Sequence, residues 1–176
     1  MQIRCSVHLG EAKKKLVLVS QETETLDHLA LKLTGFILFF DQNPMVGISS
    51  KNPAIVGQEF RPDLIALDEC GETKLWVECG NVATHKMDKL IRRNRNARIV
   101  VLKGTVREGK NLREAFDKND IQNSGRVEIL TFPDGQFQEW LSAMGDRVEI
   151  YGEPSNHSFN LVANSIPFNF DFVRIP

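Results

Sequence analysis

Asp63 and Glu78 are the residues whose types and spacing point most directly to chemistry. Asp63 opens the run Asp63-Leu64-Ile65-Ala66-Leu67-Asp68, and Glu78 stands near the end of the run Thr73 to Cys79. Between them, Glu69-Cys70-Gly71-Glu72 reads as a hairpin turn, with Gly71 supplying the positive φ such turns need. If Cys70 and Gly71 form its centre, Ile65 faces Trp76 and Asp63 faces Glu78 on the same side of the hairpin. Directly opposed side chains have Cβ atoms about 5 Å apart. Two carboxylates that close repel each other unless something positive sits between them. Hard oxygen donors suit Mg²⁺ or Mn²⁺, which can hold a phosphate, activate a water and stabilise a leaving oxygen. A plainer reading stands beside this one: Asp63 caps a strand end and Glu78 pairs with a lysine. A three-residue turn or a β-bulge would move Glu78 to the other face.

The elements that must position these residues follow from hydrophobic period. Ile3, Cys5, Val7 and Leu9 alternate with polar residues, and Leu16 to Val19 is a short apolar run, so residues 2–9 and 15–20 are expected strands. Leu26, Leu29, Leu33, Phe36 and Ile37 give one apolar face to a helix over 24–40, capped by Thr23 or Thr25. A long loop follows from Asp41 to Phe60. After the hairpin come a helix over 84–93, a strand over 97–102, a helix over 111–118, a strand over 127–130 and a helix over 135–144. This alternation favours a sheet flanked by helices. Val148 and Ile150, Phe159 and Leu161, and Phe168, Phe170 and Phe172 return to a period of two. The last three read as one strand's buried face.

The remaining sequence bounds the function. The chain has 176 residues, 41% hydrophobic and 26% charged, which suits one soluble domain over 1–176. A net charge of −1 argues against coating nucleic acid by bulk charge. Cys5, Cys70 and Cys79 show no zinc or CxxC spacing, and free thiols suit a reducing compartment. No apolar run approaches the length of a membrane span and the N-terminus is unlike a signal peptide, so a cytoplasmic protein is expected. No P-loop, GxGxxG, HExxH or GxSxG occurs. His8, His28 and His157 show no metal-ligand spacing, and His85 lies one turn before Lys89.

Pro62-Asp63 followed by Glu78-Cys79-Gly80 resembles the PD-(D/E)XK signature of restriction-endonuclease-like nucleases, with Gly80 where the lysine should stand. The chain resembles the YaeQ family of that superfamily more closely. The likeness runs through Glu24-Thr25-Leu26-Asp27 to Leu31-Lys32-Leu33, the Pro62-Asp63 strand, Leu75-Trp76-Val77-Glu78-Cys79-Gly80 and the β region from Val148 to Val162. The resemblance implies an α/β fold with a central mixed sheet, flanked by helices, plus extra N- and C-terminal strands. It also implies Mg²⁺ or Mn²⁺ on Asp63, Glu78 and the Cys79 carbonyl. Glu24 (or Asp27) would complete the site from the first helix. The lysine missing at Gly80 would come from the next helix, as Lys89 or alternatively Lys86. Val82 stands where a proline is usual.

The segment after Glu78 carries Lys86, Lys89, Arg92, Arg93, Arg95 and Arg98 against Asp88 alone. Phosphate-backbone binding, with Lys86, Arg92, Arg93 and Arg95 as contacts, is one reading, and a solvated helix face is the other. The expected activity is metal-dependent cleavage of DNA or RNA. The alternatives are a nuclease fold that binds nucleic acid or protein without cutting, and a hydrolase of small phosphorylated substrates.

Overall fold

The alternation at the N-terminus builds two antiparallel strands, β1 (Gln2–Leu9) and β2 (Ala12–Val19). In the computed structural model, which describes residues 1–176, these are followed by α1 (Leu26–Leu38), the two-residue β3 (Met45–Val46), β4 (Leu64–Leu67) and β5 (Thr73–Cys79). Then come α2 (Thr84–Arg93), β6 (Arg98–Lys103), α3 (Val106–Lys118), β7 (Val127–Thr131) and α4 (Gln136–Ser142). The chain ends with β8 (Arg147–Gly152), β9 (Ser158–Ala163), β10 (Ile166–Asp171) and β11 (Val173–Ile175).

The fold is α/β, as expected, but the extra terminal strands make a sheet of their own. One sheet has the order β10-β9-β8-β1-β2, with β1 and β8 parallel. The other has the order β11-β7-β6-β5-β4-β3, with β5, β6 and β7 parallel. The larger core joins Ile3, Cys5 and Val7 of the first sheet to Leu64, Val77 and Cys79 of the second, through α1 and Trp140 of α4. α1 is therefore a central helix, buried at every residue from Leu29 to Leu38. A second core packs Ile65, Trp76, Ile99 and Val101 against Met87, Leu90 and Ile91 of α2 and Leu112 and Phe116 of α3. Burying both faces of β5 and β6 explains their continuous apolar runs.

Several boundaries differ from the expected ones, among them β2, which begins at Ala12 rather than residue 15. α3 begins at Val106 rather than near residue 111. Its start is set by a capping box in which Thr105 accepts from the Glu108 N–H and Glu108 accepts from the Thr105 N–H. α1 begins at Leu26, with Thr25 as its cap, so Glu24 lies just outside the helix. The Phe168, Phe170 and Phe172 stripe packs with Phe132, Trp140 and Phe159, with neighbouring ring centroids 4.8 to 6.1 Å apart.

Candidate active site

The hairpin of β4 and β5 brings the two expected carboxylates to one end of the second sheet. Its turn is longer than expected. The Asp68 N–H donates to the Glu72 carbonyl, Leu67 faces Thr73, and Gly71 adopts φ 80°. The Asp68 carboxylate accepts the N–H groups of Cys70 and Glu72 and holds the loop. That loop alone would shift the register. A bulge between Ala66 and Leu67 absorbs the extra residue, so Ile65 faces Trp76 and Leu64 faces Val77.

Asp63 lies just before the ladder, and its side chain meets α1. Its N–H donates to the Val77 carbonyl at 3.1 Å. One carboxylate oxygen accepts the Cys79 N–H at 2.8 Å, and the other lies 2.9 Å from Nε2 of His28 on α1. Glu78 turns the other way, toward α2. It accepts a hydrogen bond from Trp76 Nε1 at 2.8 Å and pairs with Lys86 at 2.9 Å. The two carboxylates thus take different partners, from α1 for Asp63 and from α2 for Glu78, while the Asp63 charge still acts on Glu78. The physical reason is that a residue outside the ladder is not bound to its alternation.

α1 completes the Asp63 side. His28 and Lys32 lie one turn apart on one face of α1, and Glu24, just before the helix, reaches the same side. Lys32 lies 2.6 Å from Glu24 and 3.8 Å from Asp63, with its side chain only 10% exposed. Donor atoms of Glu24, His28 and Asp63 all lie within 4.8 Å of one another. Two carboxylates and an imidazole form a donor set that suits a divalent transition ion such as Mn²⁺ better than Mg²⁺, which prefers oxygen ligands. Glu78 stands outside that group.

The electrostatics differ on the two sides. Burial would raise the Asp63 carboxyl, but the His28 hydrogen bond and charge, the Cys79 N–H and Lys32 outweigh it and hold its pKa below the usual value. Glu24 behaves alike: burial is outweighed by Lys32, the Gln21 N–H and His28. At Glu78 burial wins. It raises the pKa against the pull of Lys86, and the Asp63 charge adds to the rise. The surroundings of Asp63 therefore favour the anion, and those of Glu78 favour the proton.

The other expected residues are placed as follows. Lys89 does not reach the carboxylates: it donates to Glu59 at 2.9 and 3.1 Å. Lys86 takes its place, because the first turn of α2 overhangs the end of β5 and the second turn has moved past it. Arg92 pairs with Asp88, Arg93 lies 3.9 Å from Glu59, and Arg98 pairs with Glu128. Arg95 is the exposed cation of this segment without a carboxylate partner. Cys79 contributes its amide to Asp63. Asp27 and His28 line a cleft of about 460 Å³ that also contains Gly80, Asn81 and Glu108. His28 and Lys32 are the residues that spacing between histidines could not find. The four-residue interval from Glu24 was their signal.

This arrangement sits in an architecture known from crystal structures. The YaeQ protein from Pseudomonas syringae superposes with a TM-score of 0.71, covering 99% of this chain and 95% of that one at 12% identity. The YaeQ protein from Xanthomonas axonopodis pv. citri superposes with a TM-score of 0.68, covering 98% and 96% at 17% identity. The chain has the YaeQ fold. No family model and no curated protein matches the sequence, so the likeness is one of backbone architecture. In this YaeQ fold, the three carboxylates come from the approach to α1, the bend before β4 and the end of β5. No helix is long and apolar enough to cross a membrane.

Proposed function

We propose that the chain is a member of the YaeQ family and of the PD-(D/E)XK superfamily, and that it hydrolyses phosphodiester bonds in DNA or RNA with Mg²⁺ or Mn²⁺. One observation carries the reading: Glu24, Asp63 and Glu78, from three separate elements, converge with His28, Lys32 and Lys86 at one end of the sheet. In this reading Glu24, His28 and Asp63 hold the ion. A bound divalent ion would supply a Lewis acid for a phosphoryl oxygen and a water of lowered pKa. Glu78 and Lys86 handle the proton, since burial raises the Glu78 proton affinity and Lys86 is within hydrogen-bond reach of its Oε2. Lys86 also stands in for the lysine absent at Gly80, because its flexible stem spans the distance from the next helix. The Cys79 amide fixes the Asp63 carboxylate. Three free cysteines suit a cytoplasmic protein.

The test is Mn²⁺ calorimetry beside cleavage of single- and double-stranded substrates. His28→Ala and Asp63→Ala should each weaken Mn²⁺ binding at least tenfold and abolish cleavage. Glu78→Gln and Lys86→Met should keep most of the metal affinity and lose cleavage. If Mn²⁺ affinity is unchanged in both His28→Ala and Asp63→Ala, the metal assignment fails. Metal binding without cleavage of any polymer would refute the nuclease reading.

A further inference from the structure

Ion pairs engage Lys86, Lys89, Arg92 and Arg93 of α2, whereas another surface groups four cations with no ion pair. The five-stranded sheet packs one face on α1 and α4 and turns the other to solvent. On that outer face β1 places Arg4 between Val17 and Arg147, Ser6 between Lys15 and Glu149, and His8 between Lys13 and Tyr151. None of Arg4, Lys13, Lys15 and Arg147 takes part in an ion pair. The nearby carboxylates are Glu149, 3.9 Å from His8 Nε2, and Asp146, which shares a shallow depression with Arg4 and Arg147. Four free cations against these two make this face basic, although the whole chain carries −1. Arg4 and Arg147 are direct neighbours on parallel strands, where like charges repel unless an anion lies between them. Beside them, His8 and Tyr151 stack with ring centroids 4.3 Å apart and planes at 15°, and Tyr151 remains 55% exposed.

We infer that this face binds single-stranded nucleic acid, with phosphates on Arg4, Arg147, Lys13 and Lys15 and a base stacked on Tyr151. A cationic surface with an exposed ring is the chemistry that holds unpaired strands, because every base offers a π-face. A second copy of the chain docked here across a two-fold axis would set the four cations against themselves. Lys13 and Lys15 also guard the open edge of β2 against strand pairing. The assignment does not depend on the metal chemistry and is measured without metal, so its failure is distinct from failure of the nuclease reading.

The experiment is fluorescence anisotropy of a short labelled oligothymidylate in EDTA over a salt series, on full-length variants whose thermal melts match the wild type. The Arg4→Ala/Arg147→Ala double variant should bind at least about tenfold more weakly and lower the magnitude of the salt slope by roughly 1.4, about 0.7 per phosphate contact. Tyr151→Ala should weaken binding roughly 5- to 100-fold, and Tyr151→Phe should restore it. Arg92→Ala/Arg93→Ala should leave affinity within about twofold. The inference is overturned if a duplex of equal length binds as tightly, or if the α2 variant loses binding and the sheet variants do not. It is also overturned if the oligonucleotide fails to bind while phosphatidylserine vesicles bind in an Arg4- and Arg147-dependent way, which would assign the face to a membrane surface.

Discussion

Lys86→Met isolates the buried half of the site. The substitution keeps most of the side-chain volume and removes the partner of a carboxylate whose side chain is 4% exposed. Glu78 then has two states available in the folded protein: a buried unpaired anion, or a neutral acid. Protonation caps the loss. Neutralising a carboxyl with an ordinary pKa of 4.5 costs about 1.36 kcal/mol for each pH unit above that value, so about 3.4 kcal/mol at pH 7 and about 0.7 kcal/mol at pH 5. The folded pKa of Glu78 is already raised, so the folded state binds more protons than the unfolded state. Its contribution is most favourable below the unfolded pKa and declines as pH rises through the folded one. Removing Lys86 raises the folded pKa further and deepens that decline. Urea unfolding of wild type and Lys86→Met at pH 5, 6 and 7 should show a deficit of about 2 to 3 kcal/mol at pH 7 that shrinks below about 1 kcal/mol at pH 5. Adding Glu78→Gln should remove the pH dependence. A deficit that stays constant across this range, or is under about 0.5 kcal/mol at pH 7, would refute the account of Glu78 as a buried charge held by Lys86.

Three further outcomes are expected. Glu128 receives two hydrogen bonds from Arg98 at 2.8 Å, which, against partial burial, hold its pKa below the usual range. Its stabilisation is therefore present above the unfolded pKa and is lost as pH falls through the folded one. Glu128→Gln should cost about 1 kcal/mol at pH 7 and nothing in strong acid, read by urea unfolding at both pH values. Among the thiols, exposed Cys70 should react promptly with a disulfide reagent. Buried Cys5, pushed up to about 12, and Cys79, raised well above 9.0 by burial, should react only on unfolding, so one rapid equivalent is expected. Lys32→Met leaves Glu24 and Asp63 without their shared cation. It should lower the melting temperature in EDTA, and Mn²⁺ should restore it and bind more tightly than to wild type. Unchanged Mn²⁺ affinity would show that Lys32 and the metal do not share that charge.

What the sequence shows of this molecule divides by the range of the interaction. The period of two at Ile3 to Leu9 and the apolar run at Ile99 to Leu102 are local, and both are strands as expected. The start of α3 was equally local, in Thr105 and Glu108, but Gly109 and Lys110 broke the apolar period and hid it. The turn of the hairpin was misread by one residue, and a bulge offset the misreading. The pairing of Ile65 with Trp76 is therefore the expected one, reached by a different backbone path. Charge was the least legible property. A count over residues 85–98 makes that segment strongly basic. Lys86, Lys89, Arg93 and Arg98 are met by Glu78, Glu59 and Glu128, which arrive from other elements, Arg92 by Asp88 of its own helix, and Arg95 stays unpaired.

The same long-range logic accounts for the site. No local pattern shows which lysines reach the two carboxylates, because only the fold brings helices to the strand end. Two helices do so: α1 delivers Lys32 to Asp63, and α2 delivers Lys86 to Glu78. The two lysines are not equivalent. Lys32 sits where a metal would compete with it, between carboxylates that stay ionised. Lys86 sits beside the carboxylate that burial drives toward its protonated form. Gly80, with φ 74° and no side chain, follows Cys79 and lines the cleft beside His28. A lysine there would need a backbone conformation that residues with a Cβ rarely adopt. Once the chain bends this way after Cys79, the cations beside Asp63 and Glu78 come from helices instead.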